Sequence, residues 1–241
     1  MVIIYGTRPY GTIECCEGEY ATTRFFHLYW MPLFPVSSTM WVRVHKEDHF
    51  LGHRMRWSWK SIVAAYLRTW GLVIGGAFLV SSLLALYESF TRFTLQWPSF
   101  VFGALLVSAA LYSWSWRRVS AEAKLRRSLF ASVVGTRCDP NMLPDDMVTS
   151  FRQSIEKLWE ERFPTQTPND IARFGAKAPA QSALAYSLVR LLAREVEPSK
   201  ENELLELAET IAKGIPPEKP SQENPYRIDA MDAFVQEEKQ S

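Results

Sequence analysis

Three of the four histidines lie in one short polar segment, at His45, His49 and His53. Side chains four residues apart share one face of a helix, and imidazole nitrogen is a common metal ligand. His45 and His49 are therefore candidate ligands of one metal ion, and His53 would extend the set. Gly52 weakens a helix beside His53. The alternative interpretation is a solvated polar linker that binds no metal.

The cysteines are Cys15, Cys16 and Cys138. Three cysteines cannot all pair, and two adjacent cysteines cannot easily clasp one ion, so we predict free thiols in a reducing compartment. A redox or metal role for the adjacent pair is the alternative.

The usual signatures of enzymes do not occur in this sequence. It contains no glycine-rich phosphate loop, no His-Glu-x-x-His, no nucleophile elbow and no Cys-x-x-Cys. We therefore assign no catalytic or cofactor-binding residue and favour the prediction that the protein is not an enzyme. A metal ion bound by the histidines is the one cofactor that we consider. The net charge of +1, from 27 basic and 26 acidic residues, argues against nucleic acid as a partner.

The polar motifs flank two long stretches without charge, Thr69 to Tyr87 and Phe93 to Trp116. About 20 apolar helical residues cross the roughly 30 Å hydrocarbon core of a bilayer. We predict a transmembrane hairpin over 69–116, with spans at about 69–87 and 97–116. Neither stretch contains Asp, Glu, Lys, Arg or His, which argues against an ion-coupled transporter.

Positive charge lies outside both ends of the hairpin, and the connecting loop holds only Arg92. Because cytoplasmic flanks are enriched in Lys and Arg, we expect both termini in the cytoplasm and a multi-pass protein of a bacterial inner membrane. Aromatic and basic residues typical of the membrane interface are Trp57, Trp59, Trp70, Trp97, Trp114, Trp116, Arg117 and Arg118.

Small residues recur within the spans at spacings that permit close helix packing: Gly71, Gly75, Gly103, Ala104 and Ser108. They would pack the hairpin internally or between subunits. A homo-oligomer, including one that forms a pore, is therefore an alternative.

Residues 1–44 are rich in β-branched and aromatic residues, with Gly6, Gly11 and Gly18 at turn positions. We predict a small β module here, followed by a polar or interfacial linker at 45–68, whose last part would join the first span as one longer helix. The aromatic cluster of the module is either its core or an exposed patch; it comprises Phe25, Phe26, Leu28, Tyr29, Trp30, Leu33 and Phe34.

The string Phe26-His-Leu-Tyr-Trp-Met-Pro-Leu-Phe-Pro35 resembles the central segment of small bacterial zinc-ribbon-like domains. Those domains hold zinc with two Cys-x-x-Cys knuckles, whereas the first knuckle position here reads Tyr5-Gly6-Thr7-Arg8. The resemblance implies a ribbon-like shape that persists without zinc, held by its aromatic core.

After the hairpin, helical periodicity and helix-breaking residues predict a cytoplasmic helical module at 117–214 and a disordered tail at 215–241. The predicted fold is thus an α+β membrane protein with a β module, a two-helix transmembrane hairpin and a helical module.

The predicted function is membrane-anchored interaction or scaffolding. The bilayer and an unidentified cytoplasmic or membrane protein are the expected partners. A metal-binding protein or metalloenzyme that uses His45 and His49 is one alternative, and a homo-oligomeric pore is another.

Overall fold

A computed structural model of the chain describes residues 4–44, 50–88, 93–176 and 178–214. The chain is a mixed α+β protein with a four-stranded antiparallel sheet. It divides into two compact units, Met1–Val119 and Ser120–Ser241.

The sheet of the first unit is a meander in which each strand pairs with the next one along the chain. Its strands are β1 (Tyr5–Cys16), β2 (Glu19–Leu28), β3 (Met31–Val44) and β4 (Phe50–Arg54). Two-residue turns with positive φ, at Glu17-Gly18 and Tyr29-Trp30, join the first three strands. Such turns match the right-handed twist of the strands they connect.

The sheet continues beyond the predicted limit of residue 44. Strand β4 pairs with β3 from Met40↔Arg54 to Val44↔Phe50, and the first helix begins at Trp59. Strand and helix therefore occupy much of the segment 45–68 that the sequence predicted as a linker. The sequence did not predict β4, because this segment contains polar residues and Gly52 and shows little alternation of apolar and polar residues.

Helical structure follows the sheet in the first unit. Its elements are α1 (Trp59–Tyr66), a π-helical turn (Leu67–Gly71), α2 (Leu72–Glu88), α3 (Phe93–Ser113) and a 3-10 turn (Trp114–Arg117). Two helical stretches, Trp59–Tyr87 and Trp97–Arg117, are long and apolar enough to cross a membrane. Only 17% of the apolar window of each is buried by the rest of the protein. The predicted connecting loop runs from Glu88 to Arg92, and its residues 89–92 lie outside the described residues.

In residues 120–176 and 178–214, the described part of the second unit, all regular structure is helical. Its elements are α4 (Ala121–Val134), a 3-10 turn (Pro140–Met142), α5 (Asp145–Arg162), α6 (Pro168–Phe174), α7 (Pro179–Glu195) and α8 (Pro198–Lys213). Local chemistry sets the helix ends: Pro occupies the first turn of α6, α7 and α8, and Gly135 ends α4 with φ of 85°.

A capping box begins α6, where Thr167 and Asp170 bond reciprocally. Hydrogen bonds from the Thr167 backbone and side chain lower the pKa of Asp170. The carboxylate therefore stays ionised where it accepts these bonds.

Helix α7 is the centre of the second unit. Leu184 and Leu191 on α7 are fully buried, as are Phe130 on α4 and Phe151 and Ile155 on α5. Helix α8 packs along α7 and contributes Ala208 and Ile211 to the core. The predicted tail at 215–241 lies outside the described residues.

Candidate membrane interface

Arg68 ties the sheet to both apolar helices where the first charge-free stretch begins. Its Nη1 donates to the carbonyl oxygen of Thr12 on β1 at 2.6 Å. Its Nη2 donates to the carbonyl oxygen of Ser113 at the end of α3 at 2.5 Å, and its Nε donates to Ser113 Oγ at 3.2 Å. One guanidinium group thus joins β1, the π turn and α3.

Two aromatic side chains on the same helix bind the start of β3. Tyr66 Oη donates to the carbonyl oxygen of Leu33 at 2.8 Å, and Trp70 Nε1 donates to that of Pro32 at 2.8 Å. Arg68 and Trp70 both lie in the π-helical turn. Such turns are rare and occur often at functional sites, because the extra residue changes the direction of the side chains.

A chain of buried hydroxyl groups crosses the contact between α1 and the sheet. Ser61 Oγ donates to the carbonyl oxygen of Gly11 at 2.8 Å and accepts from Thr23 Oγ1 at 2.9 Å. Thr23 Oγ1 lies 3.2 Å from Thr39 Oγ1, which accepts from the backbone N–H of Ser58 at 2.9 Å. These groups satisfy one another inside a contact from which water is excluded.

Gly11 permits the backbone of β1 to approach α1 closely. Its φ is +66°, and a Cβ at this position would lie 1.8 Å from the carbonyl oxygen of Ser61. Only glycine fits here, because both the conformation and the space exclude a side chain.

Phe25 is the centre of the apolar part of this contact. It is 0% exposed and packs with Ile62 and Ala65. The rings of Tyr10 and Tyr66 meet it edge to face, with centroids at 6.0 and 5.5 Å. Burial raises the pKa of Tyr10, so its hydroxyl stays protonated and donates to the carbonyl oxygen of Trp30 at 2.9 Å.

The two apolar helices touch backbone to backbone at a pair of glycines. A methyl group on Gly103 would lie 2.9 Å from the carbonyl oxygen of Gly75, and one on Gly75 would lie 3.0 Å from that of Gly103. Gly71 faces Ala110 and the carbonyl oxygen of Leu106 one turn away. The structure places these three glycines at the contact, whereas Ala104 is partly buried and Ser108 is exposed.

We expect Gly103→Ala to destabilise the helix pair by about 1–3 kcal/mol, because the added methyl group forces the two backbones apart. Gly76→Ala is the matched control, since no atom lies within 4 Å of a methyl group there. Unfolding of the full chain by SDS in mixed micelles measures both. Equal midpoints for the two variants would show that Gly103 does not set the packing distance.

We expect Arg68→Ala to destabilise the first unit by about 2 kcal/mol, because it removes charge-assisted hydrogen bonds to two backbone carbonyl groups. Trp70→Phe removes a single neutral donor, so its effect should be about half as large. Thermal unfolding in mild detergent, followed by circular dichroism, compares them. A midpoint for Arg68→Ala above that for Trp70→Phe would contradict the role of Arg68.

The predicted interfacial residues occur at the ends of the helices. Trp57 and Trp59 lie at the start of α1, Trp97 lies in α3, and all three are exposed. Trp114, Trp116, Arg117 and Arg118 form or follow the 3-10 turn after α3. Of these residues, Trp114, Trp116, Arg117 and Arg118 directly follow Ser113, whereas Trp57 and Trp59 precede Arg68 by two turns or more and Trp97 lies near the other end of α3.

The structure describes one of the three predicted metal ligands, His53. His53 lies on β4 opposite Trp41, so the helical spacing on which the prediction rested does not extend to it. His45 and His49 lie outside the described residues. Within the described part of the chain, no three His, Cys, Asp or Glu side chains are grouped so that they could hold a metal ion. Cys15, Cys16 and Cys138 form no disulfide, and Cys16 and Cys138 are buried.

A small cavity of about 70 Å³ in the second unit is lined by arginines. Its polar lining comprises Arg126, Arg127, Asp139, Tyr186 and Arg190. Arg126 pairs with Glu209 at 3.3 Å, Arg190 approaches Asp139 at 3.5 Å, and burial raises the pKa of Tyr186. Carboxylates of the protein thus already neutralise two of these guanidinium groups, and we assign no ligand to the cavity.

Comparison of the chain with protein-family models, curated proteins and solved structures finds no match.

Proposed function

We propose that the chain is an integral membrane protein of the bacterial inner membrane, with both termini in the cytoplasm. The observation that carries this proposal is the pair of long, apolar helices, of whose apolar windows only 17% is buried inside the protein. A core helix of a soluble protein would be covered by its neighbours, and exposing this much apolar surface to water would be unfavourable. The acyl chains of lipids are the favourable environment for such an apolar surface.

The chemistry around Arg68 supports a boundary at that level. Before Arg68, α1 buries Ser61 and hydroxyl groups against the sheet; after it, the helix carries only uncharged residues as far as Tyr87. Trp70, Trp114 and Trp116 lie within a turn or so of this level, as interfacial tryptophans do. We therefore place the cytoplasmic edge of the bilayer at Arg68 and Ser113.

We further propose that the protein acts as a membrane-anchored interaction or scaffolding protein. An even number of crossings leaves the sheet and the second unit on the same side of the membrane. Attachment to one hairpin would raise the effective concentration of the two units for a shared partner. The compact helical core around α7, which the hairpin does not require, supports a separate binding role for the second unit.

In-cell crosslinking followed by mass spectrometry tests the interaction role. We expect a partner that copurifies with the full chain and is lost when the chain is truncated after Val119. The truncated chain still contains the sheet and both apolar helices, so it is the matched control for membrane insertion. Crosslinks of the protein only to itself would contradict scaffolding and favour a homo-oligomer.

A further inference from the structure

One end of the sheet, which Trp70 binds just before α2, carries exposed apolar side chains. We call residues 28–36, the β2–β3 turn and its flanks, the sheet tip. Trp30 is 62% exposed, Phe34 is 52% exposed and Leu33 is 38% exposed. The sheet tip contains no charged residue. A grouped apolar surface of this kind marks contact with a membrane or another protein.

Hydrogen bonds to the helix fix the level of the sheet tip. Tyr66 and Trp70 are one helical turn apart and bind consecutive carbonyl groups, those of Leu33 and Pro32. One helical turn is about 5.4 Å along the helix axis. The donor that binds Pro32 is thus closer to α2 than the donor that binds Leu33, so β3 approaches α2 in the direction from Leu33 to Pro32. Tyr29 and Trp30 come before Pro32 in the sequence, so the same direction carries the turn toward the level at which α2 begins. Trp70 is already inside the charge-free stretch that begins at Thr69.

We propose that the sheet tip inserts into the interfacial layer of the bilayer beside the first span, with Trp30, Leu33 and Phe34 in contact with lipid. This inference rests on the proposed transmembrane hairpin. Lipid is the favoured occupant because the tip is bonded at Pro32 to Trp70, two residues before the start of the apolar helix α2. Tryptophan and phenylalanine also suit the boundary between headgroups and acyl chains.

The stacked rings of Phe26 and Phe34 support this role. Their centroids are 5.2 Å apart with an interplanar angle of 16°, on paired strands at Phe26↔Phe34. The stack and the aromatic donors on the helix hold the tip in place before it meets lipid, so little conformational entropy is lost on insertion. The sheet is then a part of the membrane anchor rather than a freely moving domain.

Site-directed spin labelling of the full chain in liposomes of phosphatidylethanolamine and phosphatidylglycerol tests the insertion. Labels are placed at Leu33→Cys and Phe34→Cys in a Cys15→Ala background, where Cys16 and Cys138 are buried. Glu17→Cys, in the turn at the other end of β2, is the comparison label outside the sheet tip. Leu84→Cys, on an exposed position of α2, reports lipid. Collision rates with oxygen and with a water-soluble nickel complex give the depth of each label.

We expect both tip labels to show an oxygen-to-nickel collision ratio several-fold higher than that of Glu17→Cys. Tip labels that match Glu17→Cys while Leu84→Cys reports lipid would overturn the insertion and leave the proposed hairpin intact. If both reagents failed to reach the tip labels and the spectra showed spin–spin broadening between copies, the insertion would be overturned in favour of a contact between protein molecules. If Leu84→Cys also reported water, the proposed membrane protein itself would be refuted.

Discussion

Gly11→Ala is expected to unfold the first unit or destabilise it by more than about 4 kcal/mol, among the largest effects of a single substitution. The new Cβ would lie 1.8 Å from the carbonyl oxygen of Ser61 and 3.1 Å from the backbone N of Ala65. These backbone atoms cannot turn aside as a flexible side chain can. The contact between β1 and α1 must therefore open, and the hydrogen bond from Ser61 Oγ to Gly11 is lost with it.

Gly18→Ala separates steric overlap from backbone strain. Gly18 also has positive φ, at +86°, but no atom lies within 4 Å of a Cβ there. An alanine in this conformation costs about 1–2 kcal/mol. Limited proteolysis and thermal unfolding of the full chain in mild detergent measure both variants. Comparable losses would show that the close approach at Gly11 is unimportant.

Phe25→Ala is expected to destabilise the first unit by about 3–5 kcal/mol, as large-to-small changes in a packed core do. The ring is completely buried between α1 and the sheet, and its loss removes the edge-to-face contacts with Tyr10 and Tyr66. Both tyrosines also donate hydrogen bonds to the chain around the sheet tip. The tip should therefore become accessible to protease in this variant.

Phe26→Ala is the matched control, because the neighbouring side chain is only partly buried and stacks on Phe34. We expect a loss of about 1 kcal/mol, close to the value of an aromatic pair. Unfolding midpoints in detergent compare the two phenylalanines directly. A larger loss at Phe26 than at Phe25 would mean that the core of the sheet lies on the other face.

The sequence identified the elements whose signal is local. The two uncharged stretches were visible because their length and composition alone define candidate spans. The small residues predicted to pack the spans likewise included Gly71, Gly75 and Gly103, which the structure places at the contact between the two helices. Helices α7 and α8 followed from apolar periodicity and from the helix-breaking residues between and after them.

The features that depend on distant pairings could not be predicted. Arg68 belonged to the positive charge outside the hairpin, and its hydrogen bond to Thr12 could not be predicted because the two residues are 56 positions apart in the sequence. Gly11 looked like an ordinary turn residue, and its contact with Ser61 joins positions 50 residues apart. The aromatic cluster left two interpretations open, and the structure divides it: Phe25 is buried whereas Trp30 and Phe34 are exposed.

Cysteine accessibility in intact cells tests the proposed membrane topology most directly. Ser89→Cys lies in the predicted loop between α2 and α3, and Ser150→Cys lies on α5. We expect a membrane-impermeant maleimide to label Ser89→Cys in intact cells and Ser150→Cys only after permeabilisation. Labelling of Ser150→Cys alone in intact cells would reverse the orientation. Protection of both, in a protein that alkaline washing releases from membranes, would contradict the transmembrane hairpin.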